Sequence, residues 1–186
     1  MIEDKIKWNK KYLNPEVVWK DPSEIVKKYY KYAKIGKALD LACGNGRNSK
    51  FLAKAGFFVD AIDISDVALK NIQNFKNINP IEADLDSYRL KKDYYDLIIC
   101  INYLNRNLFS KIKESLKADG VLIYESLVYD ESLDLDMKRE YLLDINELLH
   151  VFLDHNIIYY EEKIIKNLKE ERVRKAYLVC KSKKCR

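Results

Sequence analysis

The residues best suited to do chemistry stand in one short run, from Lys37 to Ser49. An apolar stretch there carries an acid, Asp40, and leads into a turn that contains Gly44 and Gly46. Glycine has no Cβ, so the backbone of such a turn can approach a ligand closely. The N–H groups at the start of the following helix are free to bind polar or anionic groups. The spacing therefore predicts a nucleotide-binding turn between a strand and a helix.

Two classes of ligand compete for this turn. The dinucleotide fingerprint needs a third glycine where this chain has Ser49, which disfavours a nicotinamide cofactor. The run acid-x-small-x-Gly-x-Gly, which begins at Asp40, resembles motif I of the class I S-adenosylmethionine-dependent methyltransferases. In that family the glycines let the cofactor lie against the backbone, and the acid helps to organise its amino-acid end.

A second acid, Asp63, ends the next apolar stretch. An acid at the tip of the second parallel strand can accept hydrogen bonds from both ribose hydroxyls of an adenosine. The alternative is that Asp63 only favours the start of the helix near Ser65, since acids stabilise helix N-termini. Asp60, three residues earlier, is expected to be structural.

Strands and helices alternate after residue 36, which predicts an α/β fold with a mostly parallel sheet and helices on both faces. The pattern places strands at about 37–43, 57–63, 79–84, 95–102, 121–125, 156–161 and 175–180. It places helices at about 47–55, 66–76, 107–117 and 144–154. The polar connection 163–173 favours a C-terminal antiparallel hairpin over a parallel crossover.

The first 36 residues have a different character. The run Asp21 to Glu24 predicts a helix that has Asp21 as its N-cap and continues to about Ala33. Three aromatic residues upstream either pack this segment onto the sheet or form a lid over cofactor and substrate: Trp8, Tyr12 and Trp19. We expect one domain over 1–186, made of an N-terminal helical segment or lid (1–36) and a Rossmann-like core (37–186).

Composition limits the classes of function. The chain has 186 residues, of which 48% are hydrophobic and 34% charged, as in a folded soluble domain. It contains no apolar run long enough to span a membrane and no apolar signal region, so we expect a cytoplasmic protein without a membrane partner. The four cysteines form no C-x-x-C pair, which argues against a metal site. The lysines between Lys27 and Lys37 form either a solvated helix face or, as the sharper alternative, a nucleic-acid patch.

Longer segments narrow the resemblance to the small bacterial TehB-like (tellurite-resistance) methyltransferases. Six stretches carry this resemblance: Trp8–Tyr12, Pro22–Ser23, Asn102–Phe109, Leu116–Glu125, Tyr141–Leu149 and Tyr159–Glu162. The chain departs from that group at Asn107, where a proline is common, and in the turn before Gly120, where a proline and a glycine are usual. The resemblance implies a seven-stranded Rossmann-like sheet with strand order 3-2-1-4-5-7-6.

The resemblance also implies S-adenosyl-L-methionine as cofactor and assigns the binding edge. The candidate cofactor-binding residues are Asp40, Ala42, Gly44, Asn45, Gly46, Arg47, Asp63, Ile64, Asp84, Leu85 and Asn102. The candidate substrate residues are Tyr12, Trp19, Tyr103 and Arg106. In methyltransferases an acid such as Asp84 accepts from the adenine amino group, although it could also be a solvated acid. Arg47 and Arg106 could instead be solvated or salt-bridged.

Two motifs that are missing from the sequence limit the possible acceptors of the methyl group. No Asn/Asp-Pro-Pro-Tyr/Phe run follows the fourth strand and no Pro-Cys pair occurs, which argues against methylation of adenine amino groups or cytosine carbon. We expect a small-molecule acceptor (a thiol, a metalloid oxyanion or a small metabolite) and no nucleic-acid partner. No catalytic base is identified, since His150 and His155 lie away from the binding edge in sequence. An RNA or protein methyltransferase, or a protein that binds the cofactor without catalysis, remains the alternative.

Overall fold

The computed structural model describes residues 2–14, 20–133, 136–167 and 170–183, so the candidate substrate residue Trp19 lies outside the described residues. Seven strands in these ranges form one sheet in the order β3-β2-β1-β4-β5-β7-β6. They are β1 (Lys37–Leu41), β2 (Phe58–Asp63), β3 (Ile78–Glu82), β4 (Tyr95–Ile101), β5 (Leu116–Val128), β6 (Asn156–Lys166) and β7 (Arg172–Lys181). The predicted strand order is confirmed.

The pairing of β1 positions the site. β1 lies parallel to both β2 and β4, with β2 and β3 on one side of it and β4 and β5 on the other, so the order of the strands reverses at β1. The carboxyl ends of β1 and β4 therefore border the crevice in which open α/β sheets bind ligands. β7 is antiparallel to both β5 and β6, which confirms the predicted C-terminal hairpin.

Helices cover both faces of the sheet, as predicted. Those of the described residues are α1 (Ile2–Tyr12), α2 (Glu24–Tyr29), α3 (Arg47–Lys54), α4 (Asp66–Leu69), α5 (Leu108–Ser115) and α6 (Glu147–Val151). Leu108 and Ile112 of α5 belong to the hydrophobic cluster on one face, and Val26 of α2 and Leu52 of α3 to the cluster on the other. None of the helices in these ranges combines the length and apolar character that a bilayer crossing requires.

The helix predicted over 66–76 is wrong in its length, because α4 ends at Leu69. The side-chain amide of Asn71 donates to the carbonyl of Ala68, which is the acceptor that Ile72 N–H would use in a continuing helix. The N–H of Ile72 bonds instead to the carbonyl of Leu69, and turns follow up to β3. A local side-chain bond thus competes with the helix.

The helix start predicted at Asp21 is also wrong. Ser23 is the N-cap, and α2 begins at Glu24. Ser23 is held outside the helix because its N–H donates to Asn48 Oδ1 (2.9 Å) and its hydroxyl donates to Glu125 Oε2 (2.5 Å). Tertiary hydrogen bonds therefore decide where this helix begins.

Other boundaries move by a few residues. The helices predicted over 107–117 and 144–154 are shorter, and β5 begins opposite Tyr95 before an irregularity that precedes Val121. The hairpin connection is much shorter than 163–173, because β6 and β7 pair as far as Lys166 and Arg172. Opposite charges across these strands support the extension: Arg174 Nε lies 3.2 Å from Glu162 Oε2.

Candidate functional site

Asp40 lies near the carboxyl end of β1 and is almost fully buried, with 1% of its surface exposed. The Ser49 hydroxyl of α3 donates to its Oδ2 at 2.5 Å. Burial raises the pKa of Asp40 to about 7, although the Ser49 bond and the nearby Arg47 guanidinium lower it. Asp40 is therefore an acid that gains or loses its proton near neutral pH according to what lies beside it.

Asp63 holds the glycine turn in shape. It ends β2 and accepts the N–H of Gly44 at Oδ2 (2.7 Å) and the N–H of Ser65 at Oδ1 (2.8 Å). Burial raises the pKa of Asp63, while backbone bonds from Ser65, Gly44 and Ile64 lower it. A carboxylate has about four lone-pair sites. Three backbone bonds leave Asp63 able to accept a further hydrogen bond, as from a ribose hydroxyl, and the residues present fit the predicted cofactor.

The two glycines of the turn have different roles. Both are left-handed, at φ +56° for Gly44 and +71° for Gly46, a region that favours glycine. A Cβ on Gly46 would overlap the side chain of Ile72, so this glycine serves packing beneath the turn. A Cβ on Gly44 would overlap the Tyr12 hydroxyl, which lies on the crevice side. Gly44 thus lies directly beneath Tyr12, and its missing Cβ allows that close approach.

Arg47 begins α3 beside this turn, and the side-chain oxygen of Asn45 accepts its N–H at 3.3 Å. Its Nη1 donates to the carbonyl of Asp21 at 2.6 Å. Burial lowers the pKa of Arg47, and the carboxylates of Glu125 and Asp40 raise it. The bond to Asp21 ties the N-terminal segment to the site.

The N-terminal helix α1 lies across the ends of β2 and β3. Asn9 donates to Asp66 Oδ1 (2.9 Å) and accepts from the Ser65 hydroxyl (2.6 Å). Lys5 pairs with Glu82 at the end of β3 (2.5 Å). Burial raises the pKa of Tyr12, as do the neighbouring carboxylates of Asp63 and Asp40. The aromatic residue thus lies within the site.

The residues predicted for the adenine end lie beside β2 and β3. Asp84 follows β3 and is half-buried, and its Oδ1 accepts the N–H of Asp86 at 3.0 Å, which lowers its pKa. Leu85 is buried in a core cluster, and Ile64 is half-buried after Asp63. Ala42, at φ +52°, begins the glycine turn. These residues lie where the prediction placed them, and their contacts with a cofactor stay predictions.

A buried ion pair lies at the other end of the crevice. Lys175 Nζ of β7 donates to Glu125 Oε1 of β5 and to Asn102 Oδ1, each at 2.6 Å. Each side chain of the pair is only 8% exposed. Asn102 follows β4 with a left-handed backbone at φ +58° and is itself exposed. This cluster lies at the carboxyl ends of β4 and β5, on the β7 side of the crevice.

Two candidate substrate residues have structural partners. The Tyr103 side chain packs against a core cluster, and burial raises its pKa to about 12. Arg106 donates to both oxygens of Glu147 (2.7 and 2.8 Å) and to the carbonyls of Glu140 and Leu142. The salt-bridged alternative thus describes Arg106 in this structure, and substrate binding by either residue stays a prediction.

Sequence reasoning missed two members of the site. From the sequence, Ser49 was recognised only as the residue that replaces the third glycine of the dinucleotide fingerprint, yet its hydroxyl donates a hydrogen bond to Asp40. Lys175 lies at the start of the predicted apolar strand 175–180. Its side chain shares a face of the strand with Tyr177 and Val179, which pack in a core cluster, and this placement of a lysine on the buried face could have marked it. In the part of the chain that the structure describes, no cluster of three or more His, Cys, Asp or Glu could hold a metal ion.

Comparisons with known proteins agree with this geometry. The sequence model of the family described as "Tellurite resistance protein TehB" matches residues 2–172. A protein of Geobacillus sp. (strain WCH70), whose name assigns it to the methyltransferases, is 30% identical over 135 residues, which are 63% of this chain and 54% of that protein. The "Probable S-adenosyl-L-methionine-dependent methyltransferase TehB" of Haemophilus influenzae is 22% identical over 69% of this chain and 49% of its own length. The chain thus spans about half the length of these relatives.

The crystal structure of TehB from Haemophilus influenzae superposes with a TM-score of 0.77, at 20% identity, over 96% of this chain and 66% of that one. This likeness shows the fold, while the family match extends over most of the sequence. The predicted resemblance is confirmed. The chain belongs to the family described as "Tellurite resistance protein TehB".

Proposed function

We propose that this protein transfers the methyl group of S-adenosyl-L-methionine to a small-molecule acceptor, which is a thiol, a metalloid oxyanion or another small metabolite. One observation carries the proposal. Asp40 lies near the carboxyl end of β1 and Asp63 ends the neighbouring parallel strand β2, and the N–H of Gly44 in the turn after β1 donates to Asp63. Family membership and the fold of the TehB crystal structure support the same conclusion.

Each part of the crevice suits one part of the cofactor. Asp63 would accept the ribose hydroxyls, and Asp84 and Leu85 would border the adenine. Asp40 would pair with the ammonium group and Arg47 with the carboxylate, because each would meet a group of opposite charge. The cofactor supplies a methyl group that is already activated on a sulfonium.

The residues of the chain then have to align and enclose the reactants. Alignment can contribute roughly 7–11 kcal/mol to the lowering of the barrier. Tyr12 and helix α1, which lie over Gly44 and the end of β2, would exclude water and strengthen the local electrostatic field. An acceptor that is already anionic needs no general base.

The test is titration calorimetry followed by a turnover assay. We expect binding of S-adenosylmethionine and S-adenosylhomocysteine and no binding of NAD. We also expect release of S-adenosylhomocysteine with at least one of glutathione, selenite or tellurite. The absence of cofactor binding refutes the proposal.

Two outcomes of the turnover assay favour the alternative functions. Turnover with transfer RNA alone, on a complex that weakens steeply with salt, identifies an RNA methyltransferase. Cofactor binding without turnover on any acceptor of the panel identifies a binding protein.

A further inference from the structure

The buried pair of Glu125 and Lys175 is weak evidence of a stabilising role. Removing two charges from water costs several kcal/mol, and a well-packed apolar pair is often as stable or more so. This pair lies beneath an exposed residue of the crevice, Asn102, and not beneath a surface remote from the site. We therefore looked for what the pair does to Asn102.

The pair determines how the Asn102 carboxamide is turned. A lysine ammonium carries donors only, so the amide atom beside Lys175 must be the oxygen. The 2.6 Å contact between Nζ and Oδ1 agrees with this assignment. The amide nitrogen therefore points away from Lys175, and Asn102 is exposed at the carboxyl end of β4, where the crevice lies.

Several contacts hold this arrangement in place. Glu125 accepts from Lys175 through Oε1 and from the Ser23 hydroxyl through Oε2. The main-chain N–H of Asn102 donates to the main-chain carbonyl of Glu125 at 2.7 Å. The left-handed backbone of Asn102 is one that asparagine tolerates better than most residues. Main chain, side chain and N-terminal segment thus converge on one orientation of the amide.

We propose that Glu125 and Lys175 are positioning residues which act through Asn102, and that the oriented Asn102 amide donates to an anionic oxygen of the methyl acceptor. The inference rests on the proposed function and goes beyond it by naming the acceptor's chemical group and the residue that receives it. The ammonium is neutralised by Glu125, so the pair acts by orienting the amide, whose N–H donors suit an anionic oxygen. The Asn102 amide could instead donate to the carboxylate of the cofactor, and the experiment below distinguishes an oxygen of the acceptor from an oxygen of the cofactor.

The experiment titrates selenite, as an oxyanion probe, into protein saturated with S-adenosylhomocysteine. Asn102→Gly removes the amide and keeps the main chain in its left-handed conformation. We expect selenite affinity to fall about tenfold or more, as for a lost hydrogen bond to a charged group. Asn102 was predicted to bind the cofactor; if its side chain receives the acceptor instead, affinity for S-adenosylhomocysteine should stay within about threefold.

The positioning role needs its own variant. Lys175→Met alone leaves Glu125 buried without its counter-charge and could unfold the protein. The double variant Glu125→Gln with Lys175→Met removes both charges while the Asn102 amide stays present. We expect selenite affinity to fall at least about fivefold, with the melting temperature and S-adenosylhomocysteine affinity retained.

Lys181→Met is the matched control, because it removes the same charge from the same strand at the opposite end of the sheet. It should leave selenite affinity unchanged. The inference is overturned if the wild-type complex binds no selenite, or if the Asn102 and double variants bind it as the wild type does. It is also overturned if they lose cofactor affinity instead, which would assign the amide to the cofactor's carboxylate. Failure of the wild type to bind S-adenosylhomocysteine at all contradicts the proposed function itself.

Discussion

Cofactor affinity should depend on pH through Asp40. Burial raises the pKa of this acid to about 7, so it is mostly protonated at pH 6 and mostly ionised at pH 8. Only the ionised form can pair with the cofactor's ammonium group. The competent fraction is about one tenth at pH 6 and about nine tenths at pH 8, and apparent affinity scales with that fraction. Affinity should therefore rise about tenfold over this range, which is about 1.4 kcal/mol.

Titration calorimetry with S-adenosylhomocysteine at several pH values measures this slope. Asp40→Asn is the control, since it removes the titrating carboxyl group and leaves only the pH dependence that comes from the ligand's own ionisable groups. It should bind weakly with a nearly flat profile. Ser49→Ala removes a hydrogen bond that lowers the pKa of Asp40, so its profile should shift to higher pH. A wild-type affinity that is constant between pH 6 and 8, or an unchanged slope in Asp40→Asn, would refute the reasoning.

Three further substitutions test other parts of the site. Asp63→Ala should weaken binding of S-adenosylhomocysteine by about 1.5–3 kcal/mol, as for lost hydrogen bonds to a charged group, and unchanged affinity would exclude the ribose role. Gly44→Val should leave the circular dichroism spectrum intact and abolish binding, because its side chain would occupy the place of the Tyr12 hydroxyl; retained binding would show that the turn does not touch the ligand. Arg106→Ala should speed hydrogen exchange over 139–147, where its partners lie, without changing cofactor affinity; unchanged exchange would contradict its anchoring role.

The features that could be predicted are those written in short stretches of sequence. The nearly continuous apolar run of β4 is typical of a strand buried on both faces, and the alternation with helices indicates parallel pairing. Asp40 and Asp63 could be placed at one edge because the carboxyl ends of parallel strands meet there. The predicted length of α4 was wrong because the side-chain amide of Asn71 donates to the Ala68 carbonyl, which a longer helix would have used for a main-chain bond.

The amino-acid sequence by itself determined the α/β class and the edge of the sheet that carries the turn, because glycine spacing and hydrophobic periodicity act locally. Its resemblance to a known family supplied the strand order. Only the tertiary structure decided which side chains meet there. Lys175 reaches Asn102, 73 positions earlier, because β7 pairs with β5 in one register. Tyr12 comes to lie over Gly44 because Asn9 binds Ser65 and Asp66, far along the chain. Contacts between distant segments depend on strand register and helix docking, and those are properties of the whole packed chain.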